Sequence, residues 1–292
     1  MNQKPEVGNR KLDVVKAGGF RLLNSDFRLP RTLGILNMTE DSFSDGAKYL
    51  APDAALAHGR ALMADGADAL DIGAASSNPD AKAVLPEIEI ARLGAVIPTL
   101  KAEGASVSVD SFAPEVQRWA LDQDVDYLND IQGFPDADLY PALAASSAKL
   151  IVMHSVQGRG PATRVHVPAD TIMDRILTFF DARIAALTSA GIARDRLILD
   201  PGMGLFLGTD RDASFTVLRG IGALRSKFGL PVLISVSRKS FLRRLTGRGP
   251  QEALAATLAA EIFAVCQGAD YLRTHEPKPL KDALITWSAL TG

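Results

Sequence analysis

Short apolar runs recur along the chain, and each is followed by a polar residue and then by a longer segment with helical spacing. The runs are continuous rather than alternating, which is typical of strands covered on both faces of a parallel sheet. They are Leu33–Leu36, Ala69–Ile72, Ser106–Val109, Val125–Leu128, Leu150–Met153, Leu197–Leu199, Val232–Val236 and Tyr271–Leu272. The pattern therefore predicts eight buried strands.

The segments between these runs predict helices. Apolar residues fall on one helical stripe in three of them: Ile90, Leu93, Ile97 and Leu100, which Pro98 could kink; Ile172, Ile176, Phe180, Ile184 and Leu187; and Leu254, Leu258, Ile262 and Val265. Prolines suit the first turn of a helix, and Pro52, Pro86, Pro114 and Pro168 are predicted helix starts.

Eight strand–helix units in one chain predict an α/β protein, a (β/α)8 TIM barrel with a short N-terminal extension. An open doubly wound sheet is the alternative, but no Gly-x-Gly-x-x-Gly follows the first run. Residues 1–30 are expected to be a leader with a possible hairpin, since Asn24-Ser25-Asp26 is a turn cluster. The barrel is expected to occupy residues 31–292.

Composition narrows the class of protein. The chain has 292 residues with 32 basic and 34 acidic side chains, so no general basic surface for nucleic acid is expected. No apolar run reaches the roughly 18–20 residues of a membrane span, and the only cysteine, Cys266, has no internal partner. These features predict a soluble cytoplasmic protein without nucleic-acid or membrane partners.

Polar side chains follow nearly every predicted strand. In a (β/α)8 barrel these positions meet at one face, where active sites lie. Any single residue could instead be an ordinary cap, but a complete ring is more consistent with a binding site. The ring comprises Asn37, Asp71, Asp110, Asn129, Asp130, His154, Asp200, Ser237, Arg238, Lys239, Arg273 and His275.

The chemistry of this ring suggests a heterocycle and a diphosphate. Asp110, Asn129 and Asp200 are acceptors that suit the planar guanidine-like edge of an aminopyrimidinone. Lys239 can donate to the ring, and Arg273 and His275 are donors where this fold often binds phosphate. Asn37 offers a neutral oxygen to a Mg²⁺ ion shared with substrate phosphates. No nucleophile–base pair is evident.

Seven motifs in order carry a resemblance to the dihydropteroate synthase family. The resemblance spans residues 33 to about 291, and the motifs are Gly34–Gly46, Ser108–Ser111, Leu128–Ile131, Val152–His154, Leu199–Gly204, Ser237–Phe241 and Arg273–His275. The resemblance implies condensation of 7,8-dihydropterin-6-ylmethyl diphosphate with p-aminobenzoate, giving dihydropteroate and diphosphate for folate synthesis. The enzyme would be a Mg²⁺-dependent pterinylmethyl transferase and a homodimer.

The resemblance also implies roles for individual residues. Asp45, Lys239, Arg273 and His275 would be catalytic, with Asp45 near the cationic methylene. The pterin would be held by Asp110, Asn129, Met153, Asp200 and Lys239, and the diphosphate by Asn37, Arg273 and His275, with Asn37 at the metal. The p-aminobenzoate side would be lined by Ser77, Ser237, Leu205 and Phe206.

The chain departs from the usual family pattern in two loops. In the second loop, residues 73–81, Asn78 stands where most members have an arginine. After Gly204 come Leu205 and Phe206, where a divergent sulfonamide-resistant subgroup usually has two phenylalanines. We therefore expect reduced sulfonamide sensitivity, although Leu205 weakens the aromatic wall.

Two alternative functions remain open from the sequence. A pterin-dependent methyltransferase would share the barrel and the pterin pocket but would not need Arg273 and His275. A non-catalytic pterin-binding protein with decayed loops would explain Ala75 and Asn78. Release of diphosphate that depends on p-aminobenzoate separates the synthase from both.

Overall fold

A parallel eight-stranded barrel forms the centre of the protein. The structure is a computed structural model that describes residues 29–38 and 52–291. The strands are β1 (Arg31–Asn37), β2 (Ala69–Gly73), β3 (Val107–Asp110), β4 (Tyr127–Asp130), β5 (Lys149–Met153), β6 (Leu197–Asp200), β7 (Leu233–Ile234) and β8 (Tyr271–Thr274). They pair in the order β6-β5-β4-β3-β2-β1-β8-β7, so the predicted barrel is confirmed.

The barrel closes between β6 and β7 through an isolated bridge instead of a regular ladder of hydrogen bonds. Leu199 forms an isolated parallel bridge with Val232, just before β7. The Leu199 N–H donates to the Pro231 carbonyl at 2.8 Å. This closure is the seam of the barrel, and every other neighbouring pair of strands shares a regular ladder.

The helices alternate with the strands. They are α1 (Pro52–Ala64), α2 (Pro86–Gly94), α3 (Ile97–Ala102), α4 (Pro114–Asp122), α5 (Tyr140–Ala145), α6 (Ile172–Ser189), α7 (Arg211–Phe228), α8 (Ser240–Thr246), α9 (Leu254–Cys266) and α10 (Pro277–Thr291). The predicted starts at Pro52, Pro86 and Pro114 are confirmed. The start at Pro168 is wrong, because its carbonyl accepts the Thr171 N–H and hydroxyl in a turn and the helix begins only at Ile172.

The stripe around Pro98 is divided between two helices. α2 ends at Gly94 and α3 begins at Ile97, with Pro98 in its first turn. Leu93, Ile97 and Leu100 are nevertheless all fully buried. The apolar spacing therefore predicted the buried face correctly, although the chain does not continue as one helix.

The buried face of α9 differs from the predicted stripe. Thr257, Ala260, Glu261, Ala264 and Val265 are buried, whereas Leu254 is 38% exposed. Small and polar residues thus face the barrel, and most of the predicted leucine–isoleucine stripe is only partly covered. A helix that is apolar on most sides offers no polar face from which spacing could identify the buried one.

A small apolar layer fills the barrel interior below the polar ring. It contains residues from seven strands: Leu33, Ala69, Tyr127, Ile151, Ile198, Leu233 and Tyr271. A much larger cluster lies between the strands and the surrounding helices. The packed floor leaves the carboxyl ends of the strands as the face available for a binding site.

Three aspartates clamp alternate strand pairs at the opposite, amino-terminal face. Asp68 donates its N–H to the Thr32 carbonyl at 2.8 Å and accepts the Thr32 N–H on its carboxylate at 2.7 Å. Asp126 makes the same two bonds to Val107, and Asp270 makes them to Val232. The clamps thereby tie β2 to β1, β4 to β3 and β8 to the start of β7.

Some predictions fall outside the described residues. These are residues 1–28 of the predicted leader and possible hairpin of residues 1–30, and the loop around Asp45. Within residues 29–38 and 52–291, no helix combines the length and hydropathy needed to cross a membrane.

Candidate active site

The carboxyl ends of the strands bring most of the predicted site residues to one face. Asn37, Asp110, Met153 and Asp200 are the last residues of β1, β3, β5 and β6, and Asn129 lies in β4. Ser237 and Lys239 follow β7, while Arg273 and His275 lie in and directly after β8. Asp45 lies outside the described residues.

Arg273 is the centre of a buried ionic network. Its Nε donates to the Asp71 carboxylate, and its Nη2 donates to Asp110 Oδ2 at 2.7 Å. Asp71, which is fully buried, also accepts the Ser108 hydroxyl and the Asn129 side-chain amide, the latter at 3.2 Å. The network joins β2, β3, β4 and β8 across the mouth of the barrel.

Asp71 is a site residue that the predicted set of roles omitted. The sequence feature that could have identified Asp71 is its position as an acidic residue inside the otherwise apolar run Ala69–Ile72. A buried carboxylate in a central strand needs a partner, and here the partner is Arg273. Arg273 thus points to Asp71 and Asp110 rather than standing free.

Burial shifts the protonation of the groups around Arg273. Burial raises the pKa of Asp110 to about 7, even though Arg273 opposes the shift. Burial likewise raises the pKa of Asp200 to about 6, against the Gly202 N–H that donates to its Oδ1 at 2.8 Å. Burial, with Arg273 nearby, lowers the pKa of Lys239 to about 8. Such shifts are typical of functional sites.

One acceptor in this network is unpaired. Among the residues that the structure describes, the buried Asn129 Oδ1 has no hydrogen-bond partner, although Asn129 Nδ2 is bonded to Asp71. An unpaired buried amide oxygen costs free energy of about 1–3 kcal/mol. An incoming ligand with an N–H group would satisfy it.

The surroundings of His275 favour its neutral form. Burial, together with the charges of Arg238, Arg273 and Lys239, lowers the pKa of His275 to about 3. Ser237 Oγ accepts the His275 backbone N–H at 3.2 Å and lies 2.9 Å from His275 Nδ1. If the Ser237 hydroxyl donates to Nδ1, His275 retains a proton on Nε2 to offer to an anion.

Arg238 holds the turn between Ser237 and Lys239. Its φ of 57° is left-handed, which is unusual for a residue with a side chain. The Arg238 N–H donates to the Thr257 hydroxyl at 3.2 Å, and its guanidinium pairs with Glu276. These contacts keep Arg238 outside the ionic network while its two neighbours face the site.

An apolar wall stands beside the ionic network. Phe206, in the 3-10 turn Gly204–Leu207 after β6, clusters with Ile131, Met153 and Ala162, and Leu205 packs against them. The Lys239 ammonium lies 5.2 Å from the centre of the Phe206 ring. Lys239 therefore joins the polar part of the site to its apolar wall.

Gly202 allows the chain to turn from β6 toward this wall. Its φ is 76°, and a Cβ at this position would lie 2.4 Å from the His154 carbonyl oxygen. His154 is itself buried, and its Nδ1 donates to the Pro201 carbonyl at 3.1 Å. This hydrogen bond supports the loop after β6, as is expected of a structural histidine.

The second loop is held from outside the ionic network. The Ser77 carbonyl accepts the Ala162 N–H at 3.0 Å, and the Asn78 side chain accepts the Asp80 N–H at 3.3 Å. Asp80 forms a two-pronged ion pair with Arg164, with one bond of 2.9 Å. Asn78 therefore shapes its own turn where the family pattern has a cation.

Comparison with known proteins gives consistent relatives. The family of pterin-binding enzymes matches residues 33–275. A type-2 dihydropteroate synthase of Escherichia coli is 62% identical over 257 residues, covering 88% of this chain and 94% of the relative. A type-3 dihydropteroate synthase of Escherichia coli is 51% identical, covering 90% of this chain and all of the relative.

Solved structures agree with these relatives. The dihydropteroate synthase of Xanthomonas albilineans with 4-aminobenzoic acid has a TM-score of 0.82 at 37% identity, covering 90% of this chain and 93% of that one. The same enzyme in complex with 7,8-dihydropteroate has a TM-score of 0.77 at 35% identity, with 90% and 94% covered.

A (β/α)8 barrel with a buried carboxylate–arginine network at its mouth is here the scaffold of a pterin-binding enzyme, and the chain belongs to that family. Within it, the chain belongs to the dihydropteroate synthases. The predicted family, fold and transferase activity are thereby confirmed.

Proposed function

We propose that the buried network is the pterin subsite of a dihydropteroate synthase with reduced sulfonamide sensitivity. The observation that carries this proposal is the unpaired Asn129 Oδ1 beside Asp110 and Asp200, three acceptors within one buried mouth. A pterin presents adjacent N–H donors that such acceptors bind in parallel. Met153 packs beside the ring, and Lys239 donates to a ring acceptor.

In the proposed reaction, the bond between the pterin methylene carbon and the diphosphate oxygen breaks, and its electron pair leaves with diphosphate. The aniline nitrogen of p-aminobenzoate attacks the carbon and then loses a proton. Arg273 and the His275 Nε2–H stabilise the departing negative charge. Asp45 is proposed to stabilise the positive methylene. The aniline is already nucleophilic, so no strong base is required.

Arg273 has two tasks in this proposal. Its ion pairs with Asp71 and Asp110 fix its guanidinium at the mouth. Pterin binding at Asp110 competes with the bond from Arg273 Nη2, and this competition would release one arm of the guanidinium toward the diphosphate.

A Mg²⁺ ion fits the donors in part. Asn37 places one neutral amide oxygen at the end of β1. The described residues contain no cluster of three or more His, Cys, Asp or Glu that could hold a metal by themselves. The donor set therefore suits an ion held by Asn37, substrate phosphates and water. When bound, this ion would neutralise charge on the leaving diphosphate.

The apolar wall and the second loop are the proposed p-aminobenzoate compartment. Ser77, Ser237, Leu205 and Phe206 line it, and the buried Phe206 gives it a rigid side. A planar carboxylate is smaller than a substituted sulfonamide. We therefore propose that the compartment acts as a shape filter, which accepts p-aminobenzoate and excludes bulky sulfonamides by their size.

A second copy of this chain is the proposed protein partner. An apolar groove of about 410 Å³ lies between α7, α8 and α9, lined by residues such as Phe215, Leu242, Leu245 and Phe263. Leu245 is 57% exposed and Leu254 is 38% exposed. Sedimentation should show a homodimer that Leu245→Glu converts to monomer; a monomeric wild-type chain would refute the proposal.

The cytoplasmic location stays a prediction.

The activity is tested by diphosphate release. Purified protein is mixed with Mg²⁺ and the dihydropterin diphosphate, with and without p-aminobenzoate. Release should depend on p-aminobenzoate and yield dihydropteroate. Pterin binding without release would favour the methyltransferase or the non-catalytic binder instead.

Reduced sulfonamide sensitivity is tested in the same assay. The inhibition constant of sulfamethoxazole should be well above the Michaelis constant of p-aminobenzoate. An inhibition constant at or below that Michaelis constant would refute the shape filter while leaving the synthase activity intact.

A further inference from the structure

The loop after β5, residues 154–171 and here called the β5 loop, bridges the second loop and the turn that carries Phe206. On one side the Ala162 N–H donates to the Ser77 carbonyl at 3.0 Å. On the same side Arg164 grips the Asp80 carboxylate with both terminal nitrogens. The hydrogen bonds from Arg164 hold the pKa of Asp80 below its ordinary value.

On its other side the β5 loop is bonded to the Phe206 turn. The Val156 N–H donates to the Phe206 carbonyl at 2.9 Å, and the Thr209 N–H donates to the Val165 carbonyl at 2.8 Å. Gly208, with a φ of 100°, permits this approach, because a Cβ there would lie 2.8 Å from the Val165 oxygen. A side chain at this position would force the two loops apart.

Ala162 lies where these two sets of contacts meet. Its side chain is 4% exposed and belongs to the cluster with Met153 and Phe206, while its N–H reaches Ser77. The β5 loop is thus part of the wall itself. It is bonded to both Ser77 and Phe206.

We propose that Arg164 is a positioning residue that sets the width of the p-aminobenzoate compartment by fastening the second loop to the β5 loop through Asp80. The cation that the family pattern places in the second loop is absent here, and Asn78 only shapes the local turn. Arg164 brings a guanidinium to the second loop from the β5 loop, through its ion pair with Asp80. The inference rests on the proposed p-aminobenzoate compartment.

The test compares ion pairs on the same loop. Arg164→Ala and Asp80→Asn remove the proposed fastening, and the exchange of Asp80→Arg with Arg164→Asp restores it in reverse. Arg159→Ala is the matched control, because Arg159 pairs with Asp136 at 2.9 Å from the same loop with similar exposure but does not contact the second loop. Each variant is assayed for both Michaelis constants and for sulfamethoxazole inhibition.

The expected result is a loss of discrimination without a loss of fold. In Arg164→Ala and Asp80→Asn, the ratio of the sulfamethoxazole inhibition constant to the p-aminobenzoate Michaelis constant should fall about three- to fivefold, the effect of an exposed ion pair. The Michaelis constant for the pterin diphosphate and the melting temperature should not change. The charge exchange should recover most of the ratio.

Two results would overturn the inference. One is an unchanged ratio in both single variants; the other is an equal fall in Arg159→Ala, which would indicate general loosening of the β5 loop. Failure of the proposed function is a separate outcome, because a wild-type protein that forms no dihydropteroate would be evident before any variant is assayed.

Discussion

Two carboxylates share one guanidinium at the mouth of the barrel, and this sharing determines how each residue responds to a ligand. Asp71 is deeper and has three donors, whereas Asp110 has Arg273 and lies at the edge of the mouth. Asp110 is consequently the carboxylate that can exchange partners. The sequence predicted Asp110 from its place after a strand but not the network, because pairing depends on which side chains the barrel turns inward.

Pterin affinity should depend on pH through Asp110. A pterin N–H needs the ionised carboxylate, and the pKa of Asp110 is about 7. Affinity should therefore weaken as pH falls below about 7, by at most tenfold per pH unit for one proton. Calorimetric titration of a pterin analogue between about pH 6 and about pH 8 measures this.

Asp110→Asn tests the same residue directly. It should weaken pterin binding by about 1–3 kcal/mol at the higher pH and flatten the pH dependence. Asp122→Asn, exposed on α4, is the control and should match the wild type. Equal affinity of Asp110→Asn and wild type would remove Asp110 from the pterin subsite.

At the scale of the secondary-structure element, α9 is a helix whose buried face carries an ionisable side chain. Glu261 is fully buried against the barrel, and within residues 29–38 and 52–291 neither of its carboxyl oxygens has a hydrogen-bond partner of normal geometry. Burial raises its pKa to about 8, the Thr274 hydroxyl opposes the shift and Glu276 adds to it. The strands could be predicted because their runs are apolar and separate, but α9 combines an apolar surface with a buried glutamate. Spacing alone therefore identified Val265 but missed the rest of the buried face.

The buried glutamate should make stability depend on pH. Glu261 has a folded pKa of about 8 against an ordinary 4.5, so its proton stabilises the folded state below 4.5 and this contribution is lost as pH rises to about 8. Glu261→Gln should lose less stability over this window, by up to about 1.4 kcal/mol per pH unit. Urea unfolding at several pH values measures the slope.

A control separates this effect from the other buried acids. Glu115→Gln, exposed on α4, should keep the wild-type slope, because the site carboxylates are unchanged in both variants. Parallel slopes for Glu261→Gln and wild type would show that Glu261 is already ionised in the folded protein.

At the scale of the whole molecule, the ionic network and the aspartate contacts between neighbouring strands lie at opposite faces of the barrel. The ionic network lies at the carboxyl ends of the strands, and the three aspartate clamps lie at the amino ends. The order of apolar and helical segments predicted eight units in one barrel. The clamps could not be predicted, because each depends on a side chain reaching the backbone of a neighbouring strand.

Loss of one clamp should lower stability without changing catalysis. Asp126→Ala leaves the Val107 N–H without its carboxylate acceptor, which should cost about 1–2 kcal/mol and lower the melting temperature by about 2–8 °C. Its kcat/KM should equal that of the wild type. Asp122→Ala serves as a surface control, and a fall in kcat/KM for Asp126→Ala would show that the two faces are coupled.

The seam between β6 and β7 also has a mechanical meaning. The isolated bridge between Leu199 and Val232, with the hydrogen bond from the Leu199 N–H to the Pro231 carbonyl, joins the ends of an eight-stranded sheet that is otherwise continuous. Asp200 ends β6 on one side of this seam, and Lys239 follows β7 on the other side. A ligand bound to both side chains would strengthen the seam. When the barrel is unfolded by mechanical force, we expect β6 and β7 to separate first.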